Sequence, residues 1–407
     1  MKCATRVRHG AAYRKHISCS LRIVSQHVDI AIIGGGITGL TAAVLLQERG
    51  KRVAVIEKDR AGSGESGRST AHVTEAIDAR YTNIARNFSK DAARSVASSM
   101  RAAIEQIATL VRGYSIDCHF KRLPGYFYTE KRSHIAEVKR EAQTAADLGL
   151  KVRYEDEAPL PFLTRAAARF DDQAQFNPRE YLNGLASRVQ VFGNMRVIDV
   201  REGEPCVVEC DRATFTADAV FMATNVPIAG FQSLHFNDES YRTYVLAFAS
   251  AGDHPNGLFW DTADPYHYTR WMETSQGTVM LVGGEDHKVG QRDTEESYAK
   301  LQEYTAELWS PQPLRDRWSG QIIEPVERPA VHRRIGEVLR VDGLRRTGDD
   351  VRDPRRDDRR RPHHREAKRV GGTVRLETHR DFDRHIAADR LTPLETEGLE
   401  RMNIAQD

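Results

Sequence analysis

The spacing of hydrophobic residues changes twice near the start of the chain. Residues 28–33 are an apolar run of strand type, residues 37–47 carry apolar side chains at helical spacing, and residues 52–57 form a second short strand. A strand, a glycine turn, a helix and a strand within about 30 residues are typical of the βαβ unit of a parallel sheet. The pattern therefore predicts an α/β fold at the start of the chain.

The later pattern predicts a second sheet of a different kind. Between residues 241 and 282, β-type runs follow one another without intervening helices, which favours an antiparallel sheet. The predicted helices cover residues 81–112, 135–148, 179–189 and 294–308. The predicted strands cover residues 125–129, 196–200, 206–210, 219–222, 244–248, 266–272 and 279–282.

The composition changes after Glu327. Arg occupies about four in ten positions of residues 345–369 and apolar residues are few, so this stretch cannot bury enough surface to fold alone. We interpret residues 327–407 as an aberrant, disordered, Arg-rich tail. A shift of the reading frame after Val326 is one hypothesis for its origin. A basic nucleic-acid arm is an alternative that interspersed Asp residues disfavour.

Charge and cysteine content narrow the class of protein. The chain has 60 basic and 58 acidic residues and a net charge of +2, which predicts binding to neither nucleic acid nor membranes. Five cysteines without CxxC spacing disfavour a disulfide framework and a metal site, so we expect a reducing, cytoplasmic location. Residues 1–26 are basic, and we interpret them as a disordered extension, with an organellar transit peptide as the alternative.

A glycine motif lies between the first strand and the first helix. Gly34, Gly36 and Gly39 fit the pattern GxGxxG, whose glycines allow a tight turn, the approach of a pyrophosphate and close packing of helix on strand. The helix N-terminus then offers N–H groups to phosphates. Glu57 ends the second strand where a carboxylate accepts hydrogen bonds from an adenosine ribose, which disfavours NADP. These features predict a dinucleotide site.

The next segment favours FAD over NAD. Residues 60–72 are rich in Gly, Ser and Thr and follow the acidic strand end directly. Their N–H groups and hydroxyls can surround a second phosphate and a ribityl chain, which an NAD site does not need there. An ordinary flexible loop is the alternative.

Five segments together resemble one protein family. Residues 29–43, 57–58, 62–71, 223–225 and 318–321 are similar to the D-amino-acid oxidase and glycine oxidase-like family of FAD-dependent oxidoreductases. Within that family they are most similar to a bacterial branch whose members often carry a Rieske domain. The resemblance ends at about Val326, and no Cys-x-His pair follows to bind a Rieske cluster.

This resemblance implies a fold and a set of cofactor contacts. The fold is α/β: a glutathione-reductase-type FAD-binding Rossmann domain interleaved with an antiparallel α+β substrate domain. The oxidoreductase unit would cover residues 27–326, with FAD binding by residues 27–80, 170–230 and 310–345 and the substrate domain in residues 81–169 and 231–309. The implied FAD contacts are Gly34, Gly36, Ile37, Thr38, Gly39, Glu57, Lys58, Ser63, Ser66, Thr70, Ala71, Val197 and Thr224.

Candidate catalytic residues lie in one predicted strand. Alternation along residues 264–271 puts Tyr268 and Arg270 on one face and His267 on the other. An Arg beside tyrosines can hold a substrate carboxylate through two hydrogen bonds, and His267 is a weaker candidate for a general base. A half-exposed strand with ordinary aromatic packing is the alternative. His72, just past the loop, is a minor candidate for a covalent link to FAD.

The resemblance implies oxidation of an amino acid or secondary amine by hydride transfer to flavin, with electrons passed to oxygen or an acceptor protein. The family continues after Val326 with a strand, a Gly-rich turn and a helix that this sequence lacks, so the flavin-ring end of the site is in doubt. One alternative is a catalytically impaired flavin-binding remnant. Another is a nucleic-acid-associated protein that uses the Arg-rich tail.

Overall fold

A computed structural model describes residues 25–226, 228, 238–310, 313–325, 332–335 and 338–341. Residues 1–24 of the predicted basic extension lie outside this part, and so does the Arg-rich stretch. Ser25 and Gln26, predicted as the end of that extension, instead begin the first strand, where they pair with Thr214 and Phe215. Among the described residues, no helix combines the length and the hydropathy needed to cross a membrane.

The described residues form six α-helices and seventeen β-strands. The helices are α1 (Ile37–Glu48), α2 (Tyr81–Asn87), α3 (Lys90–Gly113), α4 (Ile135–Asp147), α5 (Pro178–Ala186) and α6 (Thr294–Leu308). The strands are β1 (Ser25–Ile33), β2 (Val53–Ile56), β3 (His72–Val73), β4 (Lys121–Thr129), β5 (Val152–Glu155), β6 (Ala166–Gln175), β7 (Gln190–Phe192), β8 (Val197–Arg201), β9 (Cys206–Cys210), β10 (Thr214–Met222), β11 (Asp238–Ala249), β12 (Leu258–Asp261), β13 (Tyr268–Thr274), β14 (Gly277–Lys288), β15 (Leu314–Pro325), β16 (His332–Ile335) and β17 (Val338–Val341).

The first sheet contains the predicted βαβ unit. Its strand order is β16-β17-β10-β1-β2-β7, and β1 pairs in parallel with both β2 and β10. Successive side chains of a strand point to opposite faces. Ile32 therefore packs with Leu40 and Val44 of α1, whereas Ala31 packs with residues of β9 and β10 on the other face. The carboxyl end of β1 is thus held directly below the N-terminus of α1.

The second sheet is mainly antiparallel. Its strand order is β15-β11-β14-β13-β12-β4-β6-β3, with β5 paired to β6 and only β12 and β4 parallel. One face packs against α2 and α4, with Phe127, Phe170 and Trp260 at the centre. The other face packs against α6 around Tyr244 and Trp271. The two sheets confirm the predicted fold class of a Rossmann-type sheet combined with an antiparallel α+β unit.

Some predicted elements differ from the structure. The single helix predicted for residues 81–112 is two helices, α2 and α3. The break falls at Ser89, whose backbone is extended and whose Oγ accepts a hydrogen bond from Ala92 N–H at 3.0 Å. A serine that caps a helix in this way ends the preceding one. The strand β6 was not predicted, because its small and polar residues carry no strand pattern and its place between β4 and β5 decides its conformation.

Eight residues of the predicted tail lie in strands. β16 and β17 lie within the stretch interpreted as disordered, yet β17 pairs in parallel with Val220–Met222 of β10 and β16 pairs with β17. The antiparallel strand β9 occupies only the first half of that edge of β10. The second half has unpaired backbone groups that a further strand can satisfy. The other residues of the predicted tail lie outside the described part of the chain.

The predicted domain limits differ from the sheets at two places. β15 was assigned with residues 310–345 to FAD binding, but it pairs along its length with β11 in the antiparallel sheet. Most of β6 falls in the predicted FAD-binding range 170–230, and it also belongs to the antiparallel sheet. The limits differ because strands far apart in the sequence pair with each other, and local sequence patterns do not encode such pairing.

Candidate functional site

The loop between β1 and α1 is shaped by its glycines. Gly34 has φ +112°, a conformation that favours glycine, and a Cβ there would lie 2.5 Å from the carbonyl oxygen of Ala223. A Cβ on Gly36 would meet only the side chain of Ser66, with Oγ at 3.0 Å. The space above Gly36 is therefore open on its other sides. This is the arrangement that lets a pyrophosphate approach the backbone.

The N-terminus of α1 is suited to an anion. Gly36 is the N-cap residue and provides no side-chain cap, and the first turn has no acidic residue. The N–H of Ile37 donates to Ser66 Oγ at 3.0 Å. Thr38 and Gly39 follow in the first turn, where N–H groups have no acceptor within the helix. The positive end of the helix dipole adds to these donors, so the predicted contacts converge on a phosphate-binding position.

The Glu57 carboxylate is held at the end of β2. Its Oε2 accepts from Gly35 N–H at 2.7 Å and its Oε1 accepts from Asp59 N–H at 2.9 Å. A carboxylate oxygen can accept two hydrogen bonds, so each retains capacity for a ribose hydroxyl. Lys58 is exposed beside Asp59, with Nζ and Oδ2 3.9 Å apart. The geometry fits the predicted adenosine end of FAD.

The loop after Glu57 closes over the N-terminus of α1. Its 3₁₀ turn Glu65–Arg68 carries Ser66, while Ser63 Oγ donates to the carbonyl of Arg60 at 2.7 Å. Ala71 adopts φ +50°, which is uncommon for a residue with a Cβ. Thr70 Oγ1 lies 3.3 Å from Nδ1 of His72.

A cavity extends this site away from the helix N-terminus. It has a volume of about 280 Å³, and its lining includes the predicted FAD contacts Ile37, Ser66 and Ala71 together with His72. Helix α3 forms an apolar wall. The cavity therefore extends from the N-terminus of α1 to β3 of the antiparallel sheet.

Val197 and Thr224 flank the loop from the Rossmann sheet. Thr224 directly follows Ala223, whose N–H donates to the carbonyl of Ile33 at 2.8 Å. Val197 begins β8, shortly after Met195, whose N–H donates to the carbonyl of Glu57 at 2.9 Å. Both predicted contacts thus lie one or two residues after a backbone hydrogen bond to the strand ends that carry the glycine motif and Glu57.

Arg270 is buried completely, with 0% of its surface exposed. Its Nη1 donates to Gln175 Oε1 at 3.2 Å and its Nη2 donates to the carbonyl of Phe176 at 3.1 Å and contacts the sulfur of Met272. Its Nε has no partner among the described residues. Burial lowers the pKa of Arg270 to about 9. Because both terminal nitrogens of Arg270 already donate hydrogen bonds, they are not free for the predicted bidentate contact with a carboxylate. The positive charge nevertheless has no carboxylate partner in the described part of the chain.

Tyr268 and His72 lie next to Arg270. The two rings meet edge to face with centroids 5.4 Å apart, and the Tyr268 hydroxyl is 3.1 Å from Thr243 Oγ1. His72 Nε2 is shielded from solvent and has no hydrogen-bond partner in the described part of the chain. Burial and then the charge of Arg270 lower the pKa of His72 to about 3, so its ring is neutral. The sequence did not predict that His72 lies near Arg270, because the two residues are far apart in the chain and are brought together by the pairing of strands in one sheet.

His267 lies away from this cluster, on the α6 side of the sheet. Its Nδ1 is 3.0 Å from Asp261 Oδ2, its Nε2 is 3.3 Å from Glu285 Oε1, and its ring stacks on Tyr304 at 3.7 Å. Burial lowers the pKa of His267, but the hydrogen bonds to both carboxylates outweigh it and raise the pKa to about 9. A protonated imidazole cannot accept a proton. This geometry does not support the general-base role predicted for His267.

The ion pairs of His267 with Asp261 and Glu285 should make the free energy of unfolding depend on pH. Replacing it (His267→Gln) leaves Asp261 and Glu285 buried beside each other, which should lower the free energy of unfolding by about 3 kcal/mol at about pH 6. Because the pKa of His267 is raised in the folded state, its contribution to the free energy of unfolding is complete below pH 6.5 and is lost as the pH rises through about 9.

Urea unfolding at about pH 6 and about pH 9.5 measures this difference. The exposed His27, replaced by Gln, is the matched control. An equal gap between wild type and His267→Gln at both pH values would contradict the expectation.

The chain is similar to known flavoproteins. The model of a family described as FAD dependent oxidoreductase (DAO) matches residues 29–393. The chain belongs to this family of FAD-dependent oxidoreductases, which confirms the predicted family and its cofactor. The match includes residues after Val326, where the sequence analysis expected the resemblance to end.

Individual relatives agree with this assignment. A Bacillus subtilis protein named for a Rieske 2Fe-2S centre, YhfW, is 29% identical over 65% of this chain and 53% of its own length. The gamma-glutamylputrescine oxidoreductase of Escherichia coli is 26% identical over 48% of this chain and 49% of its own length. The chain thus spans about half the length of the curated relatives it matches. The solved glycine oxidase of Geobacillus kaustophilus shares the fold with a TM-score of 0.65 and 18% identity, over 79% of this chain and 90% of its own.

Proposed function

We propose that this protein oxidises an amino acid or a secondary amine with FAD as its cofactor. The observation that carries the proposal is the convergence of three features: the N-terminus of α1 without a side-chain N-cap, the Glu57 carboxylate at the end of β2, and a cavity whose lining includes Ile37, Ser66 and His72. When bound, FAD would supply a hydride acceptor for the carbon next to the amine nitrogen. The residues of this chain bind, orient and enclose the reactants.

The FAD contacts divide by the part of the cofactor they serve. Gly34, Gly36 and the N–H groups of Thr38 and Gly39 would hold the pyrophosphate, with Ile37, whose N–H donates to Ser66 Oγ, beside it. Glu57 would accept hydrogen bonds from the adenosine ribose, with Lys58 and Val197 beside the adenosine end and Thr224 near the pyrophosphate. The loop residues that would surround the ribityl chain and the flavin ring are Ser63, Ser66, Thr70 and Ala71.

Arg270 would favour an anionic substrate. A guanidinium without a carboxylate partner in a buried site attracts a negative group strongly, because the surroundings do not screen its charge. The Nε of Arg270 could donate one hydrogen bond, and Tyr268, on the same face of β13, contacts the ring of His72. An amino acid, which carries both a carboxylate and an oxidisable amine, meets these requirements. Oxygen or an electron-acceptor protein would take the electrons, and the cytoplasm is the proposed location.

The test uses the full-length protein purified in the presence of FAD. We expect about one FAD per chain and loss of its visible absorbance when an amine substrate is added without oxygen. The panel would include glycine, other amino acids, secondary amines and gamma-glutamylputrescine. A chain that takes up no flavin would overturn the proposal. Bound flavin that no member of the panel reduces would favour the impaired remnant instead.

A further inference from the structure

The 3₁₀ turn that carries Ser66 is attached to β15. Trp318 Nε1 donates to the carbonyl of Arg68 at 2.8 Å, and Gln321 N–H donates to Glu65 Oε2 at 2.7 Å. These bonds join segments 250 and 256 residues apart in the chain. We call these two contacts the loop clasp. It ties the loop over the glycine motif to the edge strand of the substrate sheet.

Both carboxylate oxygens of Glu65 accept a hydrogen bond, one from within the turn and one from β15. Oε1 accepts from Arg68 Nη1 at 3.0 Å while Oε2 faces β15. A Cβ on Gly320 would lie 3.3 Å from Oε2, so the glycine gives the carboxylate room to approach. An amide in place of the carboxylate would present an NH₂ group to one of these two donors. The site therefore requires an acceptor at both positions, which only the acid provides.

The opposite side of the turn meets the phosphate position. Ser66 follows Glu65 directly, and its Oγ accepts from Ile37 N–H at 3.0 Å. Among the described residues, this hydroxyl is the nearest atom to a Cβ built on Gly36, at 3.0 Å. Moving the turn would therefore move Ser66 and change the opening above the glycine motif.

The β15 side of the clasp leads to the substrate strands. Gly320 pairs with Thr243 of β11, and Thr243 Oγ1 lies 3.1 Å from the hydroxyl of Tyr268. Contacts thus run without interruption from Ser66 through Glu65 and β15 to the tyrosine beside Arg270. Packed elements of this kind keep two sites in one geometry.

We propose that Glu65 is a positioning residue for FAD, which holds the cofactor loop against β15 so that Ser66 and the N-terminus of α1 keep the shape that the pyrophosphate requires. The proposal rests on the proposed FAD site. The protein would thereby bind FAD tightly only while its substrate sheet is correctly docked. Glu65 itself need not touch the cofactor.

The test compares three variants of the full chain: Glu65→Gln, Trp318→Phe and the control Glu295→Gln. Glu295 also binds a residue of β15, with Oε2 2.8 Å from Arg317 Nη1, but on the exposed side and away from the loop. We expect Glu65→Gln to weaken FAD binding by about tenfold and Trp318→Phe by a smaller factor. The control should bind FAD as wild type does, and the melting temperature of all apoproteins should stay within about 3 °C.

Hydrogen exchange of apoprotein peptides from residues 61–70 provides a readout that needs no flavin. Faster exchange in Glu65→Gln and Trp318→Phe, but not in Glu295→Gln, is the expected result. Equal exchange in all four proteins would overturn the clasp, and so would an unchanged FAD dissociation constant in Glu65→Gln. If wild type binds no FAD, the proposed function and the positioning role for Glu65 both fail. If the variants then still changed the exchange rates, the loop clasp would have a role in stabilising the fold and none in FAD binding.

Discussion

The variant Gly36→Val is expected to lose FAD while it keeps the fold. A Cβ at this position meets only the Ser66 side chain, whose end can move, so the chain should tolerate the new side chain. The valine methyl groups would, however, fill the space where the pyrophosphate approaches the helix N–H groups. Losing charge-assisted hydrogen bonds of about 1.5–3 kcal/mol each should weaken FAD binding by at least about 100-fold.

The measurement is the ratio of FAD to protein after purification, followed by titration of the apoprotein. Circular dichroism checks that the fold is retained. Gly113→Ala is the matched control, because a Cβ there meets nothing within 4 Å. If Gly36→Val retains FAD at the wild-type ratio, the pyrophosphate does not lie above Gly36 and the cofactor site is wrongly assigned.

The variant Arg270→Met is expected to keep FAD but to lose affinity for carboxylates. Replacing a buried charge by an apolar side chain of similar size is often neutral for stability. Here Gln175 Oε1 and the carbonyl of Phe176 lose a donor, which costs about 1–3 kcal/mol. These effects offset each other, so the free energy of unfolding should change by less than about 2 kcal/mol. Binding of an anion should weaken by about 100-fold, as for other charge pairs that lose one partner in a buried site.

Benzoate and its neutral analogue benzamide separate charge from shape. Each is titrated into the FAD-bound protein, and the shift of the flavin absorbance reports binding. Wild type should prefer benzoate, Arg270→Met should not distinguish the two, and the exposed Arg315 replaced by Met should behave as wild type. Unchanged benzoate affinity in Arg270→Met would rule out Arg270 as the anion-binding group and leave it a role in joining β13 to the end of β6.

Much of the cofactor site could be read from local sequence. The glycines of the motif, Glu57 and the flavin loop lie within one stretch, residues 34–71, and each acts through the backbone geometry of its own turn or strand end. Glycine spacing and the switch from strand to helix period encode that geometry directly. The fold class also needed the β-type runs of residues 241–282, and the family needed two further segments, residues 223–225 and 318–321. The structure and the comparisons confirm both predictions.

The substrate side could not be read in this way. The sequence correctly put Tyr268 and Arg270 in a strand, but it could not predict that Arg270 binds Gln175 and Phe176 or that His267 lies between two carboxylates. These partners belong to strands whose neighbours depend on the order and register of the whole antiparallel sheet.

The chain by itself therefore determined the class of cofactor, because a phosphate site at a helix N-terminus is built from consecutive residues. Only the tertiary structure decided which buried cation has no carboxylate partner among the described residues and which loop is held to β15. Those facts depend on the burial and pairing of residues far apart in the chain, for which no local pattern exists.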